Sequence, residues 1–162
     1  MTIETPTELP IRKLLVIADD TAECRVALRY AARRAQHTDG RLCLLYVIEP
    51  VAGNEWMAVE ERMREEAREE AERLLYELAQ EANTATGLIA EMTIREGEKK
   101  EEVLAFISAE PNVRLLVLGA GTGREGPGPL VSSLAGDIAG LYTVPVTIVP
   151  GGLSPDAIDA IA

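Results

Sequence analysis

Residues 119–136 read GAGTGREGPGPLVSSLAG and follow the apolar run RLLVL. Glycine and proline crowd the first half, and Ser132 and Ser133 open a segment of helical composition. Such a loop between a strand and a helix presents backbone N–H groups at close range, because glycine has no Cβ and tolerates positive φ. A helix start adds further N–H groups and the positive end of a dipole. The chemistry implied is the holding of phosphate or another anion. The alternative is a tolerant surface turn.

Two sharper versions of phosphate chemistry fail on spacing. The Walker A loop needs G-x-x-x-x-G-K-[ST], because its lysine must reach the outer phosphates. Gly121 and Gly126 have the glycine spacing, but Pro127 stands where the lysine belongs. The match Gly121-Thr-Gly123-Arg-Glu-Gly126 to G-x-G-x-x-G should follow a first strand and turn directly into a helix. Here it follows the fourth apolar run and meets Pro127-Gly128-Pro129, so it is a chance match in a glycine-rich loop.

The other reactive side chains form no catalytic set. LVIADD, ending in Asp19 and Asp20, has the acidic pair of a response-regulator receiver. The phosphoacceptor aspartate and late lysine that such a site also needs are missing. The one histidine, His37, stands beside TDG at the end of a predicted helix, where a cap or a surface position accounts for it. Cys24 and Cys43 fall in different predicted elements, with neither zinc nor disulfide-framework spacing, and read as buried reduced thiols. No G-x-S-x-G elbow is present. Catalysis on a small molecule therefore has no visible nucleophile and base.

The elements that must position these residues alternate along the chain. KLLVIA (13–18) is a short apolar run, as a buried parallel strand would be. Residues 22–36 follow at helical spacing, with Thr21 as N-cap. RLCLLYVI (41–48) is the second strand. The longest predicted helix, 55–83, carries an apolar stripe through Trp56, Val59, Met63, Ala67, Ala71, Leu75, Leu78 and Ala82. That stripe suits a helix lying on its own sheet, with a coiled-coil seam as the alternative. Pairs such as Glu60/Arg64 and Glu69/Arg73 mark the polar face. GLIAEMTIREG (87–97) alternates like an edge strand, 99–110 is helical, RLLVLG is the fourth strand, 132–142 a helix weakened by glycine, and VPVTIVP (144–150) a fifth, edge strand. The tail SPDAIDAIA adds a short helical turn or two. Five alternating strands predict a three-layer α/β/α sandwich around a parallel sheet. Ligands in such sheets bind at the carboxyl ends of strands near the topological switch point, where Asp19, Val47 to Glu49, and Gly119 all fall.

Composition bounds the rest. At 162 residues and 47% hydrophobic, the chain suits one core-bearing domain, with a lead over 1–12, a domain over 13–150 and a tail over 151–162. No apolar run approaches the roughly 18 residues of a membrane span, and no secretory signal is readable, so cytoplasmic is the default location. Asp and Glu outnumber Lys and Arg by 27 to 16, a net charge of −11. Such a surface repels nucleic acid and anionic lipid, yet local backbone dipoles can still hold a nucleotide.

The order of pieces resembles the universal stress protein family over residues 13–150. KLLVIADDTAECRVALRYA is similar to its opening, with Asp19 on the family's strand-end aspartate and Thr21 on its Ser/Thr. LCLLYVIEP resembles its second strand, and LLVLGAGT…SSLAGDIAGLYTVPVTIVP its fourth strand, phosphate loop, last helix and last strand. The resemblance implies strand order 3-2-1-4-5 and an adenine nucleotide alpha hydrolase-like, Rossmann-like fold. It implies an adenine nucleotide such as ATP, with or without Mg2+, adenine lying against Val47 and Leu118, and Asp19 near the ribose or a metal-bound water. The family's loop G-x2-G-x9-G-[ST] falls on Gly119, Thr122, Ser132 and Ser133, so two of its three glycines are replaced by hydroxyl residues. Those hydroxyls can donate to phosphate, and Arg124 could add positive charge, but each new Cβ also adds bulk. The resemblance further implies a stress-response homodimer formed through the last strand, and with no base evident any hydrolysis would be slow and incidental. The alternative is a homodimeric interaction module that binds no nucleotide.

Overall fold

The computed structural model describes residues 10–50, 57–134 and 140–162. Ten elements alternate along it: β1 Lys13–Ile17, α1 Ala22–His37, β2 Arg41–Ile48, α2 Met57–Thr86, β3 Glu91–Glu96, α3 Lys99–Ala109, β4 Val113–Ala120, α4 Pro129–Ser133, β5 Val146–Pro150 and α5 Pro155–Ile161. The strands form one parallel sheet in the order β3-β2-β1-β4-β5.

The three central strands are apolar beyond Lys13, Arg41 and Arg114 near their starts, because both sheet faces are covered. Leu14 and Val16 of β1 point into a cluster with α1 and α2, while Leu15 and Ile17 point into a second cluster with α3 and α4. Helix α1 lies over β1, β4 and β5. Its buried face is Cys24, Ala27, Leu28, Ala31, Ala32 and Ala35, and those small side chains bring the helix axis close to the sheet. Thr21 starts it, accepting from the Cys24 N–H at 3.1 Å.

At the edges the pattern changes as alternation requires. On β3, Met92 is half exposed, and on β5 only Val149 is buried while Ile148 faces out. Pairing on β5 begins at Val146, against Leu116, two residues later than the sequence suggests; Pro145 just before it has no N–H to give.

Helix α2 packs on the sheet with its second half: Ala71, Leu74, Leu75, Leu78 and Ala82 are buried, Ala67 is half-buried and Met63 exposed. Trp56 of the expected stripe lies outside the described residues. Arg64 reaches across to Glu96 of β3 at 2.9 Å, and Arg73 pairs with Glu70 and Glu77, so these arginines take partners other than Glu60 and Glu69. Helix α4 starts earlier than expected, at Pro129, whose fixed φ suits a first helical position. Gly128 before it sits at φ +105°, open only to glycine. The expected helix over 132–142 runs into residues 135–139, which lie outside the described residues.

The tail forms a docked helix. Ser154 caps α5 through the Ala157 N–H, Ile158 is buried, and Asp159 binds α1. Arg29 holds both carboxylate oxygens of Asp159 at 2.8 and 2.7 Å, and Arg33 adds a third bond at 3.2 Å. The hydrogen bond from Arg29, then that from Arg33, keep the Asp159 carboxyl below its ordinary 3.8. A depressed folded value means the contribution is complete above the unfolded value and is lost as pH falls through the folded one. The melting temperature of the native chain is therefore expected to fall more steeply below about pH 4 than that of Asp159→Asn. Parallel melting curves for the two proteins would contradict this role.

Candidate functional site

Strands β1 and β4 are neighbours, but the chain leaves them in opposite directions, β1 towards β2 and β4 towards β5. Their carboxyl ends therefore flank the switch point, where loops diverge and leave a hollow. The hollow is a cavity of about 480 Å³. Ile17, Ala27, Val117 and Leu118 give it apolar walls, Asp19 and Ser132 polar ones, and the 125–131 segment closes its outer side.

Its shape depends on Gly119. A Cβ there would stand 2.0 Å from the Glu23 carbonyl oxygen, so the first turn of α1 rests directly on the end of β4. Gly151, past β5, is pressed in the same way: a Cβ would meet the Ala120 carbonyl oxygen at 2.4 Å. Three chain segments thus converge around Glu23.

Asp19 and Thr21 form a tight polar turn at the end of β1. Asp19 Oδ1 accepts from the Thr21 N–H at 3.1 Å and from the Thr21 hydroxyl, while the Asp19 N–H reaches Cys24 Sγ at 3.5 Å. This fixes one carboxylate oxygen and holds the side chain at the cavity wall. Cys24 sits beneath it, fully buried, and burial pushes its thiol up to about 12. Burial raises Cys43 to about 11. Both are free thiols, and neither supplies a thiolate near neutral pH.

The glycine-rich loop is folded on itself. The Gly121 N–H donates to the Pro127 carbonyl at 3.1 Å, and the Gly126 N–H to the Gly123 carbonyl at 3.1 Å. Because α4 begins at Pro129, Ser132 and Ser133 lie at its end rather than its start. The Ser132 N–H donates to the Gly128 carbonyl, and the Ser133 hydroxyl to the Leu130 carbonyl at 2.6 Å.

Of the residues read from the sequence, Asp19, Leu118, Gly119 and Ser132 line this one cavity. Val47, Thr122 and Ser133 stand outside its lining. Val47 is buried on β2 among Val103, Phe106 and Ile107. Thr122 turns towards the β5–α5 turn, its methyl 3.6 Å from where a Gly152 Cβ would be. Arg124 is exposed and also outside the lining. Sequence reasoning missed Glu23, Lys99 and Glu125, which do line it. Lys99 is the first residue of α3, just past the carboxyl end of β3, and that position on the strand-end rim was a usable signal.

Among the described residues no group of three or more His, Cys, Asp and Glu side chains could hold a metal ion. No helix among them is long and apolar enough to cross a membrane. His37 is exposed, its Nδ1 2.8 Å from the Ala162 carbonyl oxygen and remote in sequence from every lining loop.

A family model described as the universal stress protein family matches residues 10–150. No curated protein sequence matches the chain. Among solved structures, the chain is similar to universal stress protein UspA from Lactobacillus plantarum, at 20% identity and a TM-score of 0.72, over 87% of this chain and 99% of that one. It is similar to the universal stress protein from Archaeoglobus fulgidus in complex with dAMP, at 17% identity and a TM-score of 0.62, over 86% and 98%. It also resembles a universal stress protein family protein from Arabidopsis thaliana with AMP bound, at 18% identity and a TM-score of 0.59, over 86% and 91%. The shared fold is the adenine nucleotide alpha hydrolase-like, Rossmann-like one.

The contact at Gly119 gives a contrast between two glycines of one loop. Gly119→Ala must push α1 off β4 and is expected to cost about 2 kcal/mol or more. Gly123→Ala, with nothing within 4 Å of its Cβ position, should stay within about 0.5 kcal/mol. Denaturant unfolding measures both, and equal effects would refute the close approach.

Proposed function

Because the chain belongs to the universal stress protein family, we propose that its switch-point cavity binds an adenine nucleotide and that the protein acts in stress response as a homodimer. The carrying observation is the cavity itself. Its volume of about 480 Å³ is in the range of small-molecule sites, and its apolar wall suits a flat base while the polar residues beside it suit a ribose. Ile17, Val117 and Leu118 offer the base its apolar contact, while Asp19 and Ser132 offer a ribose hydroxyl an acceptor and a hydroxyl partner. Relatives solved with dAMP and AMP support the same ligand class.

ATP is the ligand that the family resemblance suggests. Any Mg2+ would arrive on its phosphates, since the wall carboxylates form no metal cluster among the described residues. Asp19 and Thr21 bond each other in a turn that fixes the end of β1, and we read the cavity as a binding site with hydrolysis at most incidental. The self-closed loop favours one second reading, a homodimeric interaction module without nucleotide.

The dimer would form through β5. It is an edge strand with Ile148 exposed and Val146 half-buried, a row that a second copy could cover. The last strand and its outward side chains are thus proposed as the interface, with the protein working in the cytoplasm.

Two measurements test this. Acid release followed by chromatography should show adenine nucleotide carried through purification, and calorimetry should show saturable binding. No heat at millimolar nucleotide would leave the interaction-module reading. Light scattering should give a dimer that dissociates in Val146→Lys/Ile148→Lys, and a native monomer at micromolar concentration would remove the dimer.

A further inference from the structure

The charged side chains in the cavity lining are unbalanced. Asp19, Glu23 and Glu125 are carboxylates, and Lys99 is the one cation among the described lining residues. Lys99 is itself within 4.0 Å of Glu49 Oε1. Two of the carboxylates belong to the loop side. Glu125 is in the loop, and the Glu23 carboxylate lies against Gly121, with Oε1 3.1 Å from where a Cβ would be. The same stretch has turned its amides inward, Gly121 N–H to Pro127 and Gly126 N–H to Gly123. Glu23 and Glu125 thus put two carboxylates on the loop side of the cavity, where a polyphosphate needs donors and positive charge.

Resting on the adenine-nucleotide reading, we infer that Glu23 and Glu125 set ligand choice by phosphate number, admitting a nucleoside monophosphate and opposing an uncomplexed triphosphate. A monophosphate has one phosphate group to place and can direct it to Lys99 or to solvent. A triphosphate must carry two further anionic groups past the carboxylates of the loop. Like charges a few ångströms apart near a protein surface still repel strongly enough to matter, on the order of tenfold in affinity. A divalent cation on the phosphate chain cancels part of that charge. Magnesium should then aid ATP and leave AMP unaffected.

The test is calorimetric titration of the full chain with adenosine, AMP and ATP, each with EDTA and with excess Mg2+, on native protein and on Glu23→Gln/Glu125→Gln. AMP should bind about tenfold tighter than ATP in EDTA. Magnesium should narrow that gap, and the double variant should narrow it further without magnesium. Glu125→Gln alone, on an exposed loop, keeps the test open if the Glu23 change disturbs folding. ATP binding in EDTA as tightly as AMP, or an unchanged ratio in the variants, would overturn this selectivity while leaving adenine binding intact. Failure of all three ligands, adenosine included, would overturn both.

Discussion

The site depends on a contact between backbones. The end of β4 touches the first turn of α1 at Gly119, with no room for one methyl group between them. Helices over parallel sheets usually stand off by the length of their side chains. Here glycine on β4 removes that spacing at one end, and the first turn of α1 meets the strand. That contact sets Glu23 against the glycine-rich loop. Gly151 and its hydrogen bond to Ala120 then seal the far side of the same junction.

The electrostatic character of the cavity follows from the same packing. Glu23 occupies the first turn of α1, where a carboxylate suits the helix dipole, and its Oε1 lies 3.1 Å from where a Gly121 Cβ would be. The chain carries a net charge of −11, and its candidate site follows that bias instead of opposing it. A loop whose amides bond one another is held rigid by its own backbone. What it presents to a ligand is then decided by side chains such as Glu125.

Much of the fold was readable because the strong signals were local. The short apolar runs KLLVI and RLCLLYVI, each bounded by turn residues, read as strands buried on both faces, and Thr21 before a stretch of helical spacing reads as a helix start. Side-chain direction was less readable. Val47 and Leu118 belong to the same face of the sheet, yet Val47 is on β2, one strand away from the switch point, and packs under α3. Thr122 and Ser133 match the family's motif in spacing, but motif spacing says nothing about which carbonyl takes the hydroxyl. Ser133 spends its proton on Leu130, and Thr122 leans on the tail. The tail helix was faint in sequence because what holds it is a long-range clamp of Asp159 between Arg29 and Arg33, which no local pattern announces.

If the hollow between β1 and β4 receives the proposed nucleotide, the residues that line it must respond to one. Amide chemical shifts recorded during an AMP titration test it most directly. Shifts should concentrate at residues 17–27, Lys99 and 117–132, with Val47 quiet. Shifts centred on Val47 to Glu49 and Glu96 to Gly97 instead, with Gly119 unmoved, would contradict it.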